Sequence, residues 1–257
     1  MTKMNRKTIV FTLLLMVCLS SSAIANELYV RASAGIDWLK NANFSDDNGG
    51  ANPAYFGNVI GSDGRALGAY GEYGSYFFVE GALGLRLQPW LRTEVALAYR
   101  PNMQYSGQAN FIGVTGPQPV SGKASSLSGL LNLYFDINGL TGTTLGRFQP
   151  FVGGGVGFAT NWLNEMTYRF PQLPGHTYSI VPSGERTNLA FMFTGGTGVE
   201  LTEHLILDLS YRYTDLGRGQ TNAGTMRMDG AVTSEAMSGT SVPLRSHSML
   251  VGLRYQF

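Results

Sequence analysis

Three histidines are the side chains of this sequence best placed to act as bases near neutral pH. His176 lies in a segment that also holds Ser179, Ser183 and Glu185. A histidine beside a serine and an acid would carry out acyl transfer, with the serine as nucleophile. No periodic element fixes these residues relative to one another. His247 is flanked by Ser246 and Ser248 on an alternating stretch. Neighbours on a strand point to opposite faces, so neither serine lies at the ~2.6–3.2 Å that a general base needs. His204 closes the short turn after Leu201 and has no such company. Asp46, Asp47 and Asp229 would have to pair across separate Gly- and Asn-rich segments to form an acid–base dyad. Metal-ligand spacing, a phosphate-binding loop and a Cys–His pair are all missing, so no cofactor and no enzymatic activity are expected.

The charges that do fall in a pattern sit at alternate positions of apolar stretches. They are Arg31, Asp37, Glu80, Arg86, Arg92, Glu94, Arg100, Asp136, Glu200, Asp208, Arg212 and Arg254, six of each sign. Within them, Glu80, Arg86, Arg92, Glu94, Asp208, Arg212 and Arg254 are expected to form a network. Paired charges in a confined polar interior roughly break even, whereas an unpaired one is costly. Such a network is either the packing of a polar core or an ion path gated by rearranging pairs.

Eight alternating stretches must position these charges. Leu28 to Trp38 places Leu28, Val30, Ala32, Ala34, Ile36 and Trp38 on one face and Tyr29, Arg31, Ser33, Gly35 and Asp37 on the other. The same period of two runs through Tyr76–Leu87, Leu91–Tyr99, Ser125–Ile137, Gln149–Thr160, Asn188–Leu201, Leu205–Thr214 and Leu244–Phe257. In the last of these, Met249, Val251, Leu253, Tyr255 and Phe257 share a face, and Leu250 alone interrupts the polar one. Gly153, Gly155 and Gly157 occupy alternate positions of the fifth stretch. Glycine weakens a strand, so a curved sheet or bulky side chains crowding a narrow interior must require it there.

The links between stretches alternate in length. Gln88–Pro89, Asn138–Arg147 and Thr202–His204 are short; Lys40–Ser75, Pro101–Ala124, Asn161–Arg186 and Asp215–Pro243 are long and read as loops, with room for a hairpin near Ala54–Ile60. Short turns at one end and long loops at the other are the asymmetry of outer-membrane barrels. The polar faces carry Gly, Ser and Ala with sparse charges of both signs, which suits a packed interior better than a solvated face. Trp38, Trp90, Tyr99, Phe135, Trp162, Tyr211, Tyr213, Tyr255 and Phe257 cluster at strand ends as interfacial girdles would. The expected fold class is an all-β, eight-stranded antiparallel transmembrane β-barrel with short periplasmic turns and long extracellular loops.

Lys3, Arg6 and Lys7 precede the apolar run Ile9–Leu19, and small residues end at Ala23 and Ala25. This is the pattern of a secretory signal peptide over residues 1–25, cut before Asn26, leaving a barrel domain over 26–257. The run is shorter than the ~20 residues a helical span requires. Val17 precedes the single cysteine, Cys18, which is against lipidation there, and the mature part has no disulfide. Three of the 18 Lys and Arg fall in the signal, so 15 face 17 Asp and Glu in the mature part, and nucleic acid is not an expected partner.

The stretches QPFVGGGVGFA, LDLSYRYTDLG and SHSMLVGLRYQF, together with the signal peptide, resemble the outer-membrane β-barrel family of opacity-type surface proteins and OmpA-like barrel domains. The resemblance covers Asn26–Phe257. It implies location in the bacterial outer membrane among lipid and lipopolysaccharide, as a monomer, after transit with periplasmic chaperones. It also implies that Val251, Leu253, Tyr255 and Phe257 form the C-terminal signal read by the barrel-assembly machinery. The function it implies is non-enzymatic: a structural or surface-exposed antigen, with adhesion to a host or surface ligand through the outer loops. A small porin-like channel is the alternative, and a lipid-modifying enzyme ranks below both. The periplasmic peptidoglycan-binding domain of the OmpA-like pattern has no counterpart here.

Overall fold

The computed structural model describes residues 28–39, 41–46, 60–111, 116–173, 178–228, 231–237 and 239–257. The expected signal peptide, most of the expected Ala54–Ile60 hairpin, His176, Asp47 and Asp229 lie outside them. The strands are β1 Leu28–Leu39, β2 Ala42–Asp46, β3 Ala69–Glu72, β4 Gly74–Gln88, β5 Leu91–Ala109, β6 Pro119–Asp136, β7 Phe148–Leu163, β8 Met166–Arg169, β9 Tyr178–Val181, β10 Gly184–Glu200, β11 Leu205–Gln220, β12 Gly224–Met228, β13 Ala231–Met237 and β14 Thr240–Gln256. A short helix, α1 Ile137–Thr141, turns the chain between β6 and β7.

These fourteen strands form a single sheet, and this overturns the expectation of an eight-stranded barrel with bare loops. The eight alternating stretches are present as β1, β4, β5, β6, β7, β10, β11 and β14, each antiparallel to the next, with β14 also paired to β1. Six further strands come from segments expected to be loops. The pair β2–β3 joins β14 to the far end of β5. The pair β8–β9 prolongs the β7–β10 hairpin and adds to β6, and β12–β13 adds to β9. Among the described residues, the long links are thus largely an extension of the sheet beyond one end.

Two bulges mark where that extension begins. In β5 the register to β6 shifts between Arg100 and Met103, with Asn102 at φ 50°. In β11 it shifts against β14 between Asp215 and Arg218, with Gly217 at φ 76°. An extra residue flips which side chains face inward. Before its bulge β5 buries Arg92, Glu94, Ala96, Ala98 and Arg100; after it, Met103, Tyr105 and Ala109.

The two faces differ accordingly. Over the first part of the sheet the outward residues are apolar, among them Val95, Leu97, Leu131, Leu133, Val156, Phe158, Leu189, Phe193, Met249, Val251 and Leu253. The inward residues there include all the buried charges, set among Phe78, Leu130, Phe151, Met192 and Ile206. Leu250, which interrupts the polar face of the last alternating stretch, packs inside with Phe78 and Ala98. In the extension the order reverses, and Leu39, Phe44, Tyr73, Met103, Tyr105, Leu163, Met166, Tyr168, Phe170 and Leu244 form an apolar inner cluster. Its rings meet edge to face, Phe44–Tyr105 at 5.0 Å and Tyr73–Tyr105 at 5.3 Å. Burial pushes the Tyr73, Tyr105 and Tyr168 phenols up, so they stay neutral. At the rim of this end, Asn110 accepts from the Gly68 N–H (2.8 Å) and donates to Asp63 (2.7 Å). That bond, with the Arg65 N–H, brings the Asp63 carboxyl down to about 2.

The glycines of β7 answer to the adjacent strand rather than to side chains from across the interior. A Cβ on Gly153 would lie 2.5 Å from the Tyr134 ring, and one on Gly157 would meet the Gly129 carbonyl and lie 2.9 Å from Leu130 Cα. Both neighbours are on β6. Because backbone cannot move aside as a side chain can, Gly157→Ala is expected to cost about 1–3 kcal/mol. Urea unfolding of the lipid-inserted protein reads this directly, and an unchanged midpoint would contradict the close approach.

Candidate functional site

The inward charges stack in layers along the sheet interior. Nearest the short turns, Arg92 donates to both oxygens of Asp136 (2.8 Å each), and Arg254 does the same to Asp208 (3.0 and 3.1 Å). Arg86 is half-buried and approaches Asp136 only to 3.9 Å. The Arg92 and Arg254 guanidiniums lie 5.8 and 5.7 Å from the centre of the Tyr29 ring.

The middle layer is the most connected. Arg212 grips Glu80 through two nitrogens, 2.5 and 3.0 Å, and Arg31 adds a third bond at 2.9 Å. Arg31 also donates to Glu94, whose carboxylate accepts from Tyr134 Oη (2.8 Å), Asn132 (3.1 Å) and Tyr29 Oη (3.3 Å). Two cations face two anions, so the layer is neutral. Above it Asp37 accepts from Arg100 (2.8 Å) and from Ser248, and Arg100 rests on the Phe78 ring at 4.7 Å.

The seven residues singled out from the sequence therefore fall into separate clusters. Glu80 and Arg212 share one with Glu94 through Arg31; Arg92 and Arg86 meet at Asp136; Asp208 and Arg254 pair with each other. Arg31, the residue that joins Glu80 to Glu94, was on the wider inward list but not among the seven, and so were Asp37, Arg100 and Asp136. Glu200 departs from that list: it is exposed near the short turns and bonds Gln149. Tyr29, Asn132 and Tyr134 carried a sequence signal in their inward parity, although they bear no charge.

The histidines stand apart from all of this. His247 faces outward at the sheet's aromatic rim, with Tyr211 Oη 2.6 Å from its Nδ1 and the Tyr213 ring centre at 5.3 Å. His204 Nδ1 lies 3.1 Å from the Gln256 carbonyl oxygen. Val251, Leu253, Tyr255 and Phe257 are exposed along the outward edge of β14, and the Phe257 N–H donates to the Leu28 carbonyl (3.1 Å), tying the last residue to the first strand. Among the described residues no group of three or more His, Cys, Asp or Glu is placed to hold a metal ion.

Two spaces flank these clusters. Within the sheet, Arg31, Arg92, Tyr134, Asp208 and Arg212 surround a cavity of about 10 Å³. On the outward face of the extension, an open groove of about 670 Å³ is lined by Gln104, Ser121, Lys123, Asn164, Glu165 and Thr167. The groove lies where β6 exchanges partners, from β7 at Ala124–Leu163 to β8 at Ser121–Thr167.

The model of the family described as "Outer membrane protein beta-barrel domain" matches residues 9–257. Uncharacterized proteins of Brucella abortus (strain 2308) and Brucella suis biovar 1 (strain 1330) are each 25% identical over 197 residues, which is 68% of this chain and 66% of theirs. The chain thus spans just under two thirds of the length of these curated relatives. Among solved structures, the outer membrane protein OprG from Pseudomonas aeruginosa is similar in fold, with a TM-score of 0.53 at 12% identity, over 91% of this chain and 96% of that one.

Proposed function

Because the chain belongs to the outer membrane protein beta-barrel domain family, we propose that it is a non-enzymatic surface protein of the outer membrane whose work is done at the extended end of its sheet. In this reading residues 1–25 are cleaved on secretion. Periplasmic chaperones carry the chain, and the assembly machinery engages Val251, Leu253, Tyr255 and Phe257. The monomer then sits among lipid and lipopolysaccharide with its extended end outward, as an antigen able to adhere to other surfaces.

The observation that carries this reading is the filled interior. The cavity beside Arg31 and Arg212 has about 10 Å³, room for roughly one water molecule. Mutually bonded ion-pair clusters lie on either side of it. Planar-bilayer recording of the purified mature chain tests the reading, with no stepwise conductance as the expected result.

A small channel is the second reading, favoured by one feature. Polar atoms without a protein partner recur along the interior: Arg254 Nη1, Arg212 Nε, Asn132 Oδ1 and Thr214 Oγ1. Each is a place for water, and a continuous file of them would be a narrow path. Charge-selective conductance abolished by Glu94→Gln would favour the channel over the surface protein.

A further inference from the structure

The outward groove is separate from the charged interior, and its lining side chains are mostly polar. We propose that it binds the saccharide headgroup of an outer-leaflet glycolipid, with Lys123 placed for a phosphate carried on the sugar. The proposal rests on the reading of the extended end as the outward one, and it names the ligand class that this end recognises.

The lining comes first. Gln104 and Asn164 supply amides, Ser121 and Thr167 hydroxyls, Lys123 an ammonium and Glu165 a carboxylate. Such a set offers donors and acceptors side by side, as the neighbouring hydroxyls of a sugar require. A volume of about 670 Å³ is that of a small-molecule site, in the range of roughly 300–1,000 Å³.

The site is also built by the fold. Gln104 and Lys123 are cross-strand partners on β5 and β6, and Ser121 is the partner of Thr167 on β8. Asn164 and Glu165 occupy the break between β7 and β8, where the Asn164 N–H donates to the Lys123 carbonyl at 2.8 Å. Between Ser121 and Lys123, Gly122 faces the inner cluster, where a Cβ would lie 3.0 Å from Met166.

The height of the groove selects the ligand. The outward face changes in steps from the apolar belt upward. Phe158 and Leu189 are followed by the Thr160–Thr187 hydroxyl pair (2.9 Å), then by Trp162 donating to Glu185 (2.9 Å), then by the groove. Lys123 lies four residues beyond Leu127, the last apolar outward residue of β6, which is about 14 Å along a strand and less in height because strands in such sheets tilt. A headgroup layer begins where the hydrocarbon ends and is roughly 5–7 Å deep on each side. The groove therefore opens at the level of lipid headgroups and the sugars above them.

The test uses the full mature chain refolded in detergent, with titration calorimetry against three probes. These are purified lipopolysaccharide, the core oligosaccharide released from it, and phosphatidylglycerol in mixed micelles. Lipopolysaccharide is expected to bind, and Lys123→Gln and Ser121→Ala are each expected to weaken it, the first by about tenfold, equivalent to ~1.4 kcal/mol. Both side chains are exposed on the outward face, so neither change should disturb folding, and retention of the folded, heat-modifiable band checks this. Arg169→Gln, exposed on β8 outside the groove lining, should bind as the unaltered chain does. Binding of the free oligosaccharide as well would extend the site to glycans from other sources; binding of the glycolipid alone would tie it to the surrounding leaflet. Both outcomes support a saccharide site. Equal losses from Arg169→Gln and Lys123→Gln, a preference for phosphatidylglycerol, or no effect of the groove substitutions would overturn it. Conductance in a planar bilayer bears on the interior and not on this groove, so failure of one reading is separable from failure of the other.

Discussion

Glu80→Ala is expected to lower stability by about 3–5 kcal/mol. The Glu80 carboxylate accepts three bonds, two from Arg212 and one from Arg31. Arg31 keeps Glu94 when Glu80 is lost, but Arg212 has no other carboxylate within ion-pair distance among the described residues. A guanidinium only 2% exposed would then stand uncompensated in the middle of the sheet. The cost arises from breaking a buried pair, not from the absence of one. The double variant Glu80→Leu/Arg212→Met should therefore recover most of the loss. Urea unfolding in phospholipid vesicles, followed by retention of the folded band on electrophoresis, measures both. A single-variant loss below about 1 kcal/mol, or a double variant no more stable than the single, would contradict the assignment.

Leu131→Arg is expected to cost about 2–4 kcal/mol in a bilayer. Leu131 points outward at mid-sheet, 54% exposed in the isolated chain, with Val95 and Val156 as its register partners on either side. Hydrocarbon offers the guanidinium no hydrogen bonds at that depth, and the rim is too far for the side chain to reach without strain. Ser121→Arg, on the same strand and face but in the extension, should cost almost nothing, roughly 0–1 kcal/mol. The gradient between the two is the informative quantity. Equal costs would mean that the apolar face does not meet lipid over the span assigned to it.

Much of the sheet could be read from the period of two, and the limits of that reading have a physical cause. The eight alternating stretches are where the pattern placed them, and their inward parity located every buried charge described above. The reading stopped at Tyr99 and at Thr214. Each lies just before a bulge, at Arg100–Met103 and Asp215–Arg218. An inserted residue breaks the alternation while the hydrogen-bonded ladder continues, so a strand whose period slips looks like a loop. Pro101 and Asn102 reinforced that impression on β5, and Gly217 did so on β11. The short strands β2, β3, β8 and β9 run four or five residues each, too few for a period to declare itself.

The sites divide in the same way. Parity could place Glu80 and Arg212 on the inside, but only the stagger of β4 against distant β11 brings them together across the interior. The role of Arg31 as the link between Glu80 and Glu94 depends on three different strands and has no local signal. The groove was invisible for a further reason. Its residues are ordinary Gln, Ser, Lys, Asn and Thr, and what makes them a site is the exchange of partners by β6.

The inversion of polarity along β5 and β6 gives this protein a waterline. Below it, the outward side chains tolerate only hydrocarbon; above it, Gln104, Lys123 and the apolar packing behind them make the extension resemble an ordinary water-soluble body. A vertical slip of two residues, about 7 Å along the strands, would either draw Lys123 towards the acyl chains or lift Leu127 and Phe158 into water. The molecule is therefore trimmed like a hull, with its depth set from one end. In a bilayer thinner or thicker than its belt, it is the lipid that must stretch or thin around it, and the adjustment gathers at the opposite end, where Trp90, Phe135 and Phe257 meet the short turns.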